Sequence, residues 1–210
     1  MANTRTLRRL AATLLVLASA GCGDVSQGRS PSQVVITALE GASGAVPDQF
    51  GGTLSSDVLT LLTSPDPCKP ESPCPTIYGD NGRVTMRLVL KDPGASGVTA
   101  SPTQLNQVTF NRYRVQYRRT DGRNTPGVDV PYSFDSALTF TVPNDGTAQA
   151  GFTLVRVSAK EEAPLRPLVN SPNTIATLAD VTFYGSDLAG NGVEVTGSIG
   201  ITFGNFGDPR

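Results

Sequence analysis

Cys68 and Cys74 stand with five residues between them in SPDPCKPESPCPTIYGDNG. Two thiols so placed can make a disulfide, half of a metal site or a redox dithiol. A tetrahedral metal site needs two further ligands, and the chain has no histidine and no second cysteine pair to supply them. A redox dithiol normally shows C-x-x-C at a helix start, whereas Pro65, Pro67, Pro70, Pro73 and Pro75 keep this segment out of a helix or a central strand. In an oxidising compartment the expected product is a Cys68–Cys74 disulfide closing a small ring in an exposed loop, with no metal and no cofactor.

The densest mixture of charge and aromatic rings is NRYRVQYRR, where Arg112, Arg114, Arg118 and Arg119 interleave with Tyr113 and Tyr117. On a strand this puts the arginines on the solvent face and the tyrosines inward. Arginine and tyrosine are also enriched in binding hot spots, which makes Arg112, Arg114, Tyr117 and Arg118 the candidate recognition residues. Carboxylates in glycine-rich turns occur in YGDNGR (78–83), TDGR (120–123), PNDG (143–146) and GSDLAGNG (185–192). None has the Asp-x-Asp-x-Asp-Gly spacing from which a calcium loop draws most of its oxygens, so they read as turn formers.

For catalysis the absences weigh most. Without histidine there is no His-dependent triad or zinc hydrolase site, neither G-x-S-x-G nor S-x-x-K occurs, and only Lys69, Lys91 and Lys160 offer an amine. KEEA (160–163) reads as a charged connector. The expectation is a protein that is not an enzyme. The alternative is a carbohydrate-active hydrolase using two carboxylates about 5 to 9.5 Å apart across a cleft.

The N-terminus has the order of an export signal: Arg5, Arg8 and Arg9, the apolar run LAATLLVLA, then small residues. That run is well short of the roughly 20 residues a membrane-spanning helix needs. Two cleavages lie close together here. Ala18-Ser19-Ala20 has the small-x-small pattern of an ordinary secretory site, while Ser19-Ala20-Gly21-Cys22 resembles the lipobox of bacterial lipoproteins, in which Cys22 would carry the lipid. If Cys68 and Cys74 pair, Cys22 is the odd thiol, and thioether attachment of a palmitate-type lipid accounts for it. On this reading residues 1–21 are a lipoprotein signal peptide and the chain is lipid-anchored in the cell envelope, at the outer membrane or its periplasmic face; secretion is the alternative. Residues 22–32, the lipidated cysteine and GDVSQGRSPS, form a flexible polar tether, and ten such residues span about 18 Å on average.

The elements behind these residues are nearly all strands. QVVITAL (33–39), VTMRLVL (84–90), QVTFNRYRVQYRR (107–119), ALTFTV (137–142), AQAGFTLVRVSA (148–159), ATLADVTFYGSD (176–187) and VEVTGSIGITF (193–203) are rich in β-branched and aromatic residues and are separated by Gly, Pro, Asn and Asp clusters. In the segment 107–119 Val108 and Phe110 are in one phase and Tyr113, Val115 and Tyr117 in the other, which predicts a bulge near Asn111 or Arg112. The stretch 53–62 fits either a strand or a short helix. Residues 158–170 read as a helical connector capped by Ser158 and limited by Pro164 and Pro167. The fold expected over 33–206 is all-β, an antiparallel sandwich of seven to eight strands with long loops.

The net charge of −1 becomes about −4 once the three arginines of the first 21 residues are removed, leaving fourteen basic against eighteen acidic residues. That is no electrostatic footprint for nucleic acid. The segment VTFYGSDLAGNGVEVTGSIGITF (181–203) resembles the closing hairpin of bacterial immunoglobulin-like and fibronectin type III-like domains, the match falling on Asp187, Ala189, Gly190 and Asn191. The chain as a whole resembles an uncharacterised bacterial lipoprotein carrying such a domain. The resemblance implies a shape and a location, with a membrane reached through the lipid anchor and an envelope protein or polysaccharide as partner, but no reaction. It departs from antibody-type domains in having neither tryptophan nor strand cysteines.

Overall fold

In a computed structural model, residues 28–92, 94 and 100–207 are described, so Cys22 and residues 1–21, read above as a signal peptide, lie outside the described residues. Ten strands are present among the described residues: β1 (Ser32–Ala42), β2 (Thr53–Asp57), β3 (Thr60–Leu62), β4 (Cys74–Thr76), β5 (Asp80–Leu90), β6 (Val108–Arg118), β7 (Phe134–Val142), β8 (Thr147–Val155), β9 (Ile175–Asp187) and β10 (Gly192–Gly204). One short helix, α1 (Val157–Glu161), and two 3-10 turns, Gln104–Asn106 and Arg166–Asn170, complete them. All seven strand segments read from β-branched and aromatic content are strands, and 53–62 resolves into β2 and β3.

The strands form a three-stranded sheet in the order β1-β5-β8, a five-stranded sheet in the order β2-β10-β9-β6-β7, and the small ribbon β3-β4. The expectation of a wholly antiparallel arrangement is corrected at one place: β2 runs parallel to β10. The cause lies in the loop after β1. Gly51 pairs antiparallel with Gly41, and the chain turns once more before Thr53, where β2 sets out alongside β10 on the other sheet.

Alternation along the strands produces one continuous core between the two sheets. From the smaller sheet Val84, Met86, Phe152 and Leu154 meet Val108, Phe110, Tyr113, Val115, Val181, Phe183, Ile199, Ile201 and Phe203 of the larger. The predicted change of phase in β6 is present as a bulge between Phe110 and Arg112, seen against both β7 and β9, and it brings Phe110 and Tyr113 to the same side. Gly185 makes the bulge sterically feasible, since a Cβ there would lie 2.3 Å from the Thr109 carbonyl oxygen.

Two tyrosines tie the sheets together. The Tyr113 hydroxyl donates to the Thr153 carbonyl (3.1 Å) and accepts from the Thr153 N–H (3.2 Å), and the Tyr117 hydroxyl donates to the Leu154 carbonyl (2.7 Å). These main-chain groups are free for the tyrosines because the β5–β8 register shifts beside Leu154.

Two further expectations need correction. The strand read as 148–159 ends at Val155, and α1 begins after Arg156, with Ser158 inside it and no side-chain cap bond. The polar run expected to stay free to Ser32 joins the fold earlier: Ser30 and Ser32 are buried, and the Ser32 hydroxyl donates to the Asn106 carbonyl (3.0 Å). The domain thus has a proximal end, where β1, β6, β8 and β10 begin and β5, β7 and β9 finish. At the opposite, distal end lie the β3–β4 ribbon, α1 and the 119–133 loop.

Candidate functional site

At the distal end the pairing read from the cysteine spacing is present: Cys68 and Cys74 are joined, with Cα atoms 5.2 Å apart. Within the ring Lys69 and Ser72 exchange two backbone hydrogen bonds (3.2 and 3.0 Å), a tight turn that the flanking prolines leave room for. Cys74 opens β4 and pairs with Leu62 of β3, so the bridge fastens an exposed loop to a two-stranded ribbon.

The arginines of β6 lie on the outer face of the five-stranded sheet. Arg112 and Arg114 share the Asp135 carboxylate of β7 (2.8 and 3.3 Å), and Arg112 also lies over the Tyr184 ring, 4.0 Å from its centroid. Arg118 binds Asp180 of β9 (2.5 Å), whose other bond comes from the Ser198 hydroxyl of β10. Burial alone would raise the Asp180 carboxyl, but Arg118 and Ser198 hold it below the ordinary carboxylate range. Threonine pairs continue the surface: Thr109 with Thr141 and Thr182 with Thr196, both at 2.9 Å. The outer face is therefore polar and charge-balanced, with half-exposed guanidinium groups.

Tyr117 does not belong to that face. It is 3% exposed and aimed into the core, because the bulge rotates it inward with Tyr113. Burial, with the Asp80 charge nearby, pushes its phenol far above the usual range. Arg119 lies apart from the β6 cluster: it and Arg123 both bind Asp121 in the distal loop, and their hydrogen bonds hold that carboxyl well below its ordinary value.

A charged cluster absent from the sequence reading lies beneath the distal end. Asp80, expected in a turn, opens β5 and is fully buried; Lys160, expected in a solvated connector, is 1% exposed. The Lys160 ammonium donates to both Asp80 oxygens at 2.9 Å and to the Asp57 carbonyl at 2.7 Å. Asp80 accepts two more bonds, from the Ser56 hydroxyl (2.5 Å) and the Gly44 N–H (3.0 Å). Every charge is matched, which is the condition for burying such a pair without a large penalty. Phase carried a signal for the aspartate: Asp80 and Gly82 are in step with Val84, Met86 and Leu88, the inward row of β5.

Of the remaining turn carboxylates, Asp187 organises the β9–β10 hairpin. Its Oδ1 accepts from the N–H groups of Ala189 (3.0 Å) and Asn191 (2.9 Å), and its Oδ2 from the Asn191 side chain (2.9 Å). Gly190 takes φ +81°, while Asn191 serves by hydrogen bonding rather than by a positive φ. Among the described residues no group of three or more Cys, Asp or Glu side chains gathers as a metal site.

A cleft of about 500 Å³ opens between β7 and β8, lined by Phe50, Tyr113, Leu138 and Phe152 together with Asn81 and Ser136. No protein-family model matches the chain, and neither a curated protein nor a solved structure matches it significantly.

Proposed function

We propose that the chain is a non-catalytic cell-envelope lipoprotein, anchored through Cys22, that presents an immunoglobulin-like domain for binding or structural interaction. The observation that carries the anchor is the Cys68–Cys74 bridge: it uses two of the three cysteines and leaves Cys22, behind an export-type segment, as the one that requires another role.

Strand order supports the immunoglobulin-like reading. The first strand is split, β1 pairing with β5 in one sheet and β2 with β10 in the other, and β10, β9, β6 and β7 follow in the adjacency expected of such a domain's larger sheet. Where antibody-type domains set a tryptophan against an inter-sheet disulfide, Tyr113 of β6 packs against Phe183 of β9 (6.2 Å) and Phe152 of β8 (5.2 Å). An envelope protein or polysaccharide is the partner class, met on the outer face of Arg112, Arg114 and Arg118, whose fixed guanidinium groups and threonine hydroxyls suit hydroxyl- and carboxylate-bearing ligands.

Intact mass of the membrane-extracted protein, with and without reduction, tests the anchor. The expected result is an acyl mass on Cys22 and a gain of two hydrogen atoms on reduction, with a Cys22→Ser chain recovered in the soluble fraction. An unmodified mature chain starting at Gly21 rejects it.

A further inference from the structure

We propose that the proximal end of the domain is a lipid-facing surface, with Leu105 and Leu188 as its apolar contacts. The inference rests on the Cys22 anchor proposed above and adds to it a fixed orientation of the domain on the bilayer.

Attachment geometry comes first. The Gly28 carbonyl accepts from Lys91 Nζ (2.9 Å), the Lys91 N–H donates to the Pro31 carbonyl (3.0 Å), and Ser30 is buried. The chain is therefore held to the fold from Gly28 onward, at the end where β1 begins. Cys22 lies six positions earlier, and six residues at full extension reach about 20 Å. The 13-residue strands β9 and β10 run for about 40 Å from that end to the other. An acyl group on Cys22 thus keeps the proximal end within reach of the bilayer, while an upright domain holds its distal end beyond reach.

The same end exposes large apolar side chains on rigid supports. Leu105 is 74% exposed on the 3-10 turn Gln104–Asn106, and Leu188 is 61% exposed at the start of the β9–β10 turn. Val108 of β6, three residues after Leu105, pairs with Asp187 of β9, the residue before Leu188, so both exposed leucines lie at the same end of the β6–β9 ladder. Each support is pinned: the Thr103 N–H and hydroxyl bond Asn106 Oδ1 (2.7 and 3.0 Å), and Asp187 holds its own turn. Rigid turns lose little freedom when their side chains enter a lipid interface.

Charge does not oppose contact. The exposed Arg29 and Lys91 flank the point where the chain leaves, suited to anionic headgroups, and the exposed Asp92 and Asp145 balance them. Two leucines hold a free domain to a bilayer only weakly. On a short tether, however, the contact is intramolecular at high effective concentration, so weak contacts suffice to orient the domain.

The chain contains no tryptophan, so one introduced indole reports without background. Leu105→Trp, Leu188→Trp and, as a control on the distal loop, Val128→Trp (68% exposed) are each prepared full-length. Each is checked for acyl mass and reconstituted in phosphatidylethanolamine–phosphatidylglycerol vesicles with and without brominated acyl chains. Brominated chains are expected to quench emission severalfold at 105 and 188 and to leave 128 unchanged. Quenching no greater at 105 and 188 than at 128, in acylated protein, overturns the lipid-facing end while leaving the anchor intact. A chain without acyl mass overturns both, and the mass tells the two failures apart.

Discussion

The two ends of the domain are held together in different ways. At the proximal end the β9–β10 turn is organised by Asp187 through hydrogen bonds spanning two and four residues. Long-range ties at this end run singly, from Ser32 to Asn106, from Lys91 to Pro31 and Gly28, and from Ser30 to Asp187. At the distal end the ties cross 80 residues from Lys160 to Asp80, 103 from Lys160 to Asp57, and 149 from Phe206 to Asp57. Local turns are specified by neighbouring residues and form wherever those residues occur. A buried ion pair between distant segments forms only when the whole fold brings them together, and it then holds that fold against alternatives that would strand a charge. The proximal end thus combines a locally specified turn with single long-range bonds, whereas the distal end depends on a buried ion pair that only the assembled fold brings together.

The largest expected effect breaks the distal end. Lys160→Met leaves the Asp80 carboxylate buried and uncompensated, and should cost about 3–5 kcal/mol. Pairing it with Asp80→Leu should recover most of the loss, because neither desolvated charge then remains. Denaturant midpoints at unchanged m-value measure both. A double variant no better than the single would show that the pair is not what holds this end.

The proximal turn gives a smaller effect with a pH signature. Asp187→Ala removes the acceptor of bonds from Ala189, Asn191 and Ser30 and should cost about 2 kcal/mol. Burial by itself raises this carboxyl, but the bonds from Asn191, Ser30 and Ala189 outweigh it and leave the folded-state value below the ordinary one. A group depressed in the folded state stabilises fully above its unfolded value, near 3.9, and the contribution fades as pH falls through the folded value. Wild-type stability should therefore drop more steeply below about pH 4 than that of Asp187→Asn. Parallel acid profiles of the two chains would contradict this.

The smallest effect belongs to the outer face between the two ends. Arg114→Ala and Arg118→Ala remove exposed ion pairs with Asp135 and Asp180, and such pairs contribute little in water. The denaturation midpoint should stay within measurement scatter and respond to neither variant in high salt. Loss of binding to an envelope polysaccharide or protein in these stable variants would assign that face to recognition.

Much of the framework was legible in the residues. Alternating β-branched and aromatic residues located all seven long strands, and the change of phase between Phe110 and Tyr113 located the bulge before any strand had a partner. Asp187, Gly190 and Asn191 announced the hairpin. Cysteine spacing, read with the missing histidines, predicted the Cys68–Cys74 bond. The buried cluster was misread in both halves: Asp80 took its meaning from the glycine beside it, and Lys160 from the glutamates that follow.

What the sequence determined alone was whatever acts over a few residues: strand periodicity, turn chemistry and the short disulfide ring. Tertiary structure alone decided the parallel pairing of β2 with β10 and the buried meeting of Lys160 with Asp80. The physical reason is range. Periodicity and φ preferences are properties of adjacent residues, whereas the dielectric around a charge is set by every segment that packs against it, and no residue's neighbours in sequence record which segments those are.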